Sequence, residues 1–144
     1  MIKPKKILVM GLPGAGKTYF SKILFPLINA VWLNADQVRK DADDWDFSTE
    51  GRVRQANRMK SLAQKALDQG KNVIADFVCP TDKTREDFNA DVLIWMDTIK
   101  EGRFQDTNKI FINPKKFDFR ITEKNAEIWA IKVADKLQGY SSDN

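Results

Sequence analysis

The sequence predicts an α/β fold in three layers: an open, mostly parallel sheet of about five strands with helices on both faces. Three observations lead there. Short apolar runs recur along the chain, at 7–10, 30–33, 72–75 and 91–96, each too short for a helix and bounded by polar or turn-forming residues. Between them lie segments whose apolar positions follow a helical period. Strands that alternate with helices place a parallel sheet between two helical layers. The length of 144 residues suits a single domain, 1–144, without repeats or linkers. A chain of that size buries about 68% of its unfolded surface.

The elements follow in order. Ile7 to Met10 leaves a basic leader, Lys3-Pro4-Lys5-Lys6, and stops at Gly11, the pattern of a fully buried strand. A helix opens at Thr18 and runs through Phe25 until Pro26. Ala30 to Leu33 is a second strand ending at Asn34, and Ala35 to Lys40 a short helix. The acidic stretch Asp41 to Asp46, with Trp45 inside it, reads as a loop. From Thr49 to Gln69 the residues Val53, Ala56, Met59, Leu62, Ala63, Ala66 and Leu67 fall at helical spacing, with Ser48 as N-cap and Gly70 as C-cap. Asn72 to Ala75 forms a third strand closing on Asp76. Pro80 opens a short helix to Phe88, a position where its missing N–H costs nothing. Asp91 to Met96 is a fourth strand with Asp97 at its exit, and Phe119 to Ile121 a short fifth. Ala126, Trp129, Ala130, Val133, Ala134 and Leu137 mark a final amphipathic helix, after which 138–144 are expected to fray.

Composition removes several chemistries. Lys and Arg total 24 against 20 Asp and Glu, a net charge of +4 that suits anionic small molecules and nucleic acid alike. No histidine is present, which excludes His-dependent triads, HExxH zinc sites and imidazole acid–base chemistry. The single Cys79 excludes an internal disulfide framework and a multi-cysteine metal site. No apolar run reaches the roughly 18 residues of a membrane span, and the N-terminus lacks a signal-peptide stretch. A soluble, cytoplasmic protein with no membrane partner is expected.

The sharpest motif is Gly11-Leu-Pro13-Gly14-Ala15-Gly16-Lys17-Thr18, which fits G-x-x-x-x-G-K-[ST] at every fixed position between a strand and a helix. Its glycines let successive N–H groups point into one concavity, and the helix N-terminus adds partial positive charge. Gly11, Pro13, Gly14, Ala15, Gly16, Lys17, Thr18 and Tyr19 are therefore the residues expected to hold a nucleotide's phosphates. Lys17 reaches the β- and γ-phosphates, and the Thr18 hydroxyl ligates Mg²⁺. The expected fold is a P-loop NTPase of the nucleoside-kinase-like kind, with ATP and Mg²⁺ as cofactors. Ligands of open parallel sheets bind at the C-terminal strand ends, so Gly11, Asn34, Asp76 and Asp97 should border one crevice.

The remaining candidates surround that crevice. Asp36 and Arg39 are three apart in the helix after Asn34 and share a face. Asp36 there would orient an acceptor hydroxyl, accept its proton or hold Mg²⁺ through water, and Arg39 would steer an anionic acceptor; an exposed ion pair is the plain alternative. Asp76 is a candidate Mg²⁺ carboxylate or, failing that, a cap. Arg52 is placed to grip an anionic acceptor, while Arg52, Arg54 and Arg58 equally suit a solvated basic face. Phe47 and Phe77 are candidate stacking surfaces or simple packing. The segment 98–118 is too long for an ordinary connector. It reads as a lid excluding water from the transfer site, with Arg103 as its cation, or as an exposed loop.

These strings resemble the adenylylsulfate kinases within the P-loop kinases: GLPGAGKT at 11–18, NADQVR at 34–39, FSTEGRVRQANR at 47–58, FVCP at 77–80 and MDT at 96–98. The resemblance implies transfer of the ATP γ-phosphoryl group to the 3′-hydroxyl of adenylylsulfate, a small anionic acceptor, in a protein that is generally a homodimer. It assigns Lys17 and Thr18 to phosphates and metal, Asp36 to metal and acceptor, and Arg39 and Arg52 to the acceptor's anionic part. Asn34, Phe47, Gln55, Phe77, Cys79 and Pro80 would line the acceptor pocket, and Arg103 would be the lid arginine. The chain has Asn34-Ala35-Asp36 where that family has Asp-Gly-Asp, and Gln55 where it has Asn. Polynucleotide 5′-kinases share the Asp-x-x-Arg pattern of Asp36 and Arg39, which keeps a nucleic-acid end as the second acceptor class. A nucleotide-binding protein without turnover is the third reading.

Overall fold

The computed structural model describes residues 3–102 and 104–139. Five parallel strands form one sheet in the order β2-β3-β1-β4-β5: β1 Lys6–Met10, β2 Ala30–Asn34, β3 Asn72–Asp76, β4 Val92–Met96 and β5 Phe119–Ile121. Six helices connect and cover them: α1 Lys17–Leu27, α2 Ala35–Ala42, α3 Thr49–Asp68, α4 Asp82–Phe88, α5 Gln105–Ile110 and α6 Ala126–Gly139. This is the three-layer P-loop NTPase architecture that the alternation of runs and periods predicts.

The central strand shows why its sequence is apolar throughout. β1 is buried along its whole length, and alternate side chains enter opposite cores. Ile7 and Val9 pack with Phe20, Leu24, Ile94 and Val133 under α1 and α6. Leu8 and Met10 pack with Met59, Ala63, Phe88 and Trp95 under α3 and α4. Each fully buried side chain of this size contributes about 2 kcal/mol, so two covered faces demand a strand with no polar alternation.

Several boundaries differ from the sequence expectation. Pro26 lies inside the last turn of α1, where the lost N–H removes one bond and no further turn depends on it. α2 runs on to Ala42 and ends at Asp43 in the left-handed conformation (φ 51). α4 starts at Asp82, not Pro80, because Thr81 and Thr84 form a reciprocal capping box that outcompetes a proline start. Ser48 caps α3 as expected, its side chain accepting from the Gly51 N–H. The segment 98–118 is not without structure: it contains α5. Gln138 and Gly139 belong to α6 rather than to a frayed end, and Gln138 Nε2 donates to the Leu27 carbonyl at 2.9 Å. Among the described residues no helix is long and apolar enough to cross a membrane.

Candidate nucleotide site

The loop between β1 and α1 is shaped by close approach. Gly11 has φ +152, and a Cβ on it would lie 2.5 Å from the Met96 carbonyl oxygen, so only glycine lets β1 leave beside the end of β4. Gly14 and Gly16 also take positive φ. The Ala15 N–H donates to the Leu12 carbonyl at 3.0 Å, and Thr98 Oγ1 ties the loop to the β4 exit by donating to the Ala15 carbonyl at 2.7 Å. α1 then begins with no side-chain cap and no acidic residue in its first turn. α2, α3 and α4 all have side-chain N-caps. The α1 N-terminus thus keeps its partial positive charge uncompensated by its own residues, the arrangement suited to an anion. Lys17, nearly buried, donates through Nζ to the Leu12 carbonyl at 3.0 Å.

One sheet edge away, β2 and β3 place Asn34 opposite Asp76. Asp76 is buried, and its Oδ2 accepts from Thr18 Oγ1 at 3.2 Å, Asn34 Nδ2 at 3.1 Å and Trp32 Nε1 at 3.3 Å. Asn34 Nδ2 also donates to Thr18 Oγ1 at 3.1 Å, while Asn34 Oδ1 caps α2 through the Gln37 N–H at 3.0 Å. Burial pushes the Asp76 carboxyl above the usual carboxylate range; the Asn34 hydrogen bond, the Lys17 charge and the Trp32 and Thr18 hydrogen bonds pull the other way. The donor set suits a magnesium ion, which prefers one or two carboxylates beside phosphate oxygens and water. Among the described residues no group of three or more His, Cys, Asp or Glu side chains would hold a metal on its own.

The acceptor-side candidates fall into two groups. Asp36 is exposed in the first turn of α2 and makes no hydrogen bond or ion pair among the described residues. Arg39, by contrast, is buried and does not pair with Asp36. Its Nη1 donates to the Asp44 and Asp46 carbonyls at 2.9 and 3.1 Å, and its guanidinium lies 4.3 Å from the centroid of the exposed Phe47 ring. Burial lowers its pKa. Arg52 Nε donates to the Phe47 carbonyl at 2.9 Å, and Nη2 donates to Thr107 Oγ1 of α5 at 3.3 Å. Gln55 is buried, donating to the Ala35 carbonyl at 3.0 Å and accepting from Arg58 Nη1 at 2.7 Å.

Arg54 is exposed and Arg58 half-buried, but their charges are not left unpaired. Both are ion-paired to Asp44, at 3.0 and 2.6 Å, and Arg54 also reaches Asp46 at 2.9 Å. Phe77 is a core residue, edge-on to Phe88 at 5.5 Å. Cys79 is buried, and burial pushes its thiol up to about 12. Pro80 is half-buried and its carbonyl accepts from the Ile112 N–H at 2.8 Å. Asp97 is ion-paired to Arg120 at 2.7 Å and to Lys100 at 3.9 Å. Tyr19 is exposed and donates its hydroxyl hydrogen to Glu127 at the start of α6. Arg103 lies outside the described residues.

Sequence reasoning passed over Trp32 and Thr107. Trp32 had a readable signal, since a tryptophan near a strand end needs a partner for its N–H. Thr107 had none, because its hydrogen bond to Arg52 joins residues far apart in the sequence. A cavity of about 140 Å³ opens between Leu12 of the loop after β1, Trp95, Asp97, Lys100, Asn108 and Phe111.

Residues 7–90, more than half of the chain, match the AAA domain family. The chain belongs to the AAA domain family. The matched stretch of this AAA domain runs from β1 through α4 and so includes the phosphate loop, Asn34 and Asp76. No curated protein matches the sequence. Among solved structures, the domain is similar to the adenylylsulfate (APS) kinase of Mycobacterium tuberculosis bound to AMPPNP and APS. The TM-score is 0.77 at 20% identity, covering 96% of this chain and 99% of that one. It is also similar to shikimate kinase from Acinetobacter baumannii in complex with shikimate (TM-score 0.63, 17% identity, 95% and 94% covered). A gluconokinase from Sinorhizobium meliloti has TM-score 0.60 at 12% identity, with 98% and 99% covered. At these identities the likeness is one of fold.

Proposed function

We propose that this chain is an ATP-dependent phosphotransferase that moves the γ-phosphoryl group of ATP to a hydroxyl of a small anionic acceptor, with the 3′-hydroxyl of adenylylsulfate as the acceptor. The observation that carries the reading is the junction of Thr18 and Asp76 beside an uncapped helix N-terminus, one strand away from an exposed, unpartnered Asp36. A phosphate chain would lie on the backbone N–H groups of Gly14, Gly16, Lys17 and Thr18, with Lys17 Nζ leaving the Leu12 carbonyl to meet the β- and γ-phosphates. Thr18 and Asp76 would hold magnesium, which when bound supplies charge neutralisation on the phosphate oxygens. Asp36 would orient the acceptor hydroxyl and take its proton as the acceptor oxygen bonds to the γ-phosphorus. The bond from that phosphorus to the β–γ bridging oxygen breaks, and ADP leaves.

Arg39 and Arg52 enter this reading as the braces of the 44–52 wall, on which Phe47 presents its ring. Residues 98–118, with Arg103, would close over the phosphates and keep water from competing with the acceptor. The fold likeness to small-molecule kinases supports the general chemistry. The engagement of Arg54 and Arg58 by Asp44 and Asp46 favours a small acceptor over a nucleic-acid strand, whose phosphates would need those cations.

The test is an ATP-consumption screen offering adenylylsulfate, short 5′-hydroxyl oligonucleotides and common nucleosides in parallel, with product masses measured. Phosphorylated adenylylsulfate is the expected product. Phosphorylated oligonucleotide alone would move the reading to a polynucleotide end, and binding of ATP with no turnover on any acceptor would refute the transferase reading.

A further inference from the structure

Three donors converge on Asp76 Oδ2, and only Thr18 and Asn34 belong to the candidate residues that the motifs single out. The third is Trp32 Nε1, at 3.3 Å. Trp32 and Asn34 are two apart on β2, opposite Ile74 and Asp76 of β3, so their side chains leave the same face of the sheet. The Trp32 ring is half-buried and stacked on Phe25 of α1, with centroids 5.6 Å apart and 28° between the planes. The indole has a single polar group, a donor with no acceptor capacity. It therefore cannot ligate a cation itself, and all it can offer the carboxylate is orientation and partial neutralisation. The stack fixes the ring, the ring fixes the N–H, and the N–H meets the oxygen that Thr18 also meets.

We propose that Trp32 is a positioning residue for the magnesium–nucleotide site, an inference that rests on the phosphotransferase reading. Its N–H pins Asp76 Oδ2 against the Thr18 hydroxyl, so that carboxylate and hydroxyl hold one arrangement before a metal arrives. Partners that orient metal-holding groups typically account for 10- to 100-fold in metal affinity. Asn34 Nδ2 spends one N–H on Asp76 and the other on Thr18, whereas the Trp32 N–H is given to Asp76 alone.

The test uses trinitrophenyl-ATP binding across a magnesium titration and in EDTA, together with thermal unfolding. Trp32→Phe keeps a ring against Phe25 and removes only the N–H. The expected result is a rise of about tenfold or more in the magnesium concentration that half-saturates the gain in nucleotide affinity, with binding in EDTA unchanged. Phe25→Leu loosens the stack that holds the N–H, so it should lower the melting temperature and raise the magnesium requirement in the same direction as Trp32→Phe; no change in that requirement would count against the stack as the element that fixes the ring. An unchanged magnesium requirement in Trp32→Phe, or equal losses with and without magnesium, overturns the proposal. If the unaltered protein binds nucleotide with no dependence on magnesium, this inference falls while nucleotide binding stands; if it binds none at all, both readings fall together.

Discussion

Asn34→Asp isolates the electrostatics of the Asp76 corner. Aspartate keeps the Oδ1 that caps α2, so the helix start is preserved. What changes is Nδ2, which now becomes a second carboxylate oxygen at the position 3.1 Å from Asp76 Oδ2. Two unit charges at that separation repel by about 5 kcal/mol at an effective dielectric of 20. The alternative is to take up one proton, which at pH 8 costs a carboxyl of ordinary pKa about 5.6 kcal/mol. Either route removes about 5 kcal/mol from a stability that in domains of this kind is about 5–15 kcal/mol.

The sign with pH follows from the same pair. The shared proton raises one carboxyl pKa in the folded state, so the variant's stability is fully present below the unfolded pKa of about 4 and is lost as pH rises. The deficit should therefore shrink by about 1.4 kcal/mol per pH unit on going from pH 8 toward pH 5. Urea unfolding of the variant and the unaltered protein, followed by circular dichroism across this range, measures the difference directly. Asn34→Ala is the control: it removes one hydrogen bond that holds the Asp76 pKa down and adds no charge, so its loss of stability should grow with pH less steeply than that of Asn34→Asp. A deficit for Asn34→Asp below about 1 kcal/mol at pH 8, or one that does not change with pH, would refute the reasoning.

Four further outcomes are expected. Lys17→Ala should abolish phosphoryl transfer while the circular dichroism spectrum is retained, because the role proposed for Lys17 is a phosphate contact rather than core volume; transfer near the normal rate would return it to a loop brace. Asp36→Asn should depress kcat more than ATP affinity, since the side chain has no hydrogen bond or ion pair to lose among the described residues; equal losses in both would argue against a proton-accepting role. Gly51→Ala places a Cβ 2.0 Å from the Asp46 carbonyl oxygen that Arg39 holds, and the forced loop shift should cost about 1–3 kcal/mol in urea unfolding; a normal midpoint would show that the loop yields freely. The Asp46 carboxyl is held down to about 2 by the Ser48 hydroxyl, the Ser48 N–H and Arg54. A depressed carboxyl contributes stability that is present above about pH 4 and lost as pH falls toward 2, so Asp46→Asn should flatten the acid limb of the stability profile. An acid limb as steep as that of the unaltered protein would count against that bond set.

The strand–helix alternation and the glycine-rich turn between β1 and α1 were legible because each depends on local order. A strand buried on both faces must be apolar throughout, a nest of N–H groups needs its glycines at fixed spacing, and Ser48 announces a helix start. Boundaries were less legible where two local signals competed, as at Pro80 against Thr81 and Thr84. The acceptor side was the least legible part. Asp36 and Arg39 are equivalent in the sequence pattern, one turn apart on a short helix, yet one is exposed without a partner and the other is buried beneath Phe47.

By itself, the order of residues determined that a parallel sheet would carry a phosphate-binding loop at the end of its first strand, since periodicity and glycine spacing act within a few residues. Only the tertiary structure decided which charges remain available. Asp44 and Asp46 take up Arg54 and Arg58, carbonyls of the same loop take up Arg39, and Trp32 reaches Asp76 across two strands. The arginines meet their partners where the loop between α2 and α3 folds back on both helices, whereas Trp32 meets Asp76 only once β2 and β3 have set their register. A charged side chain's chemistry is fixed by what it meets there.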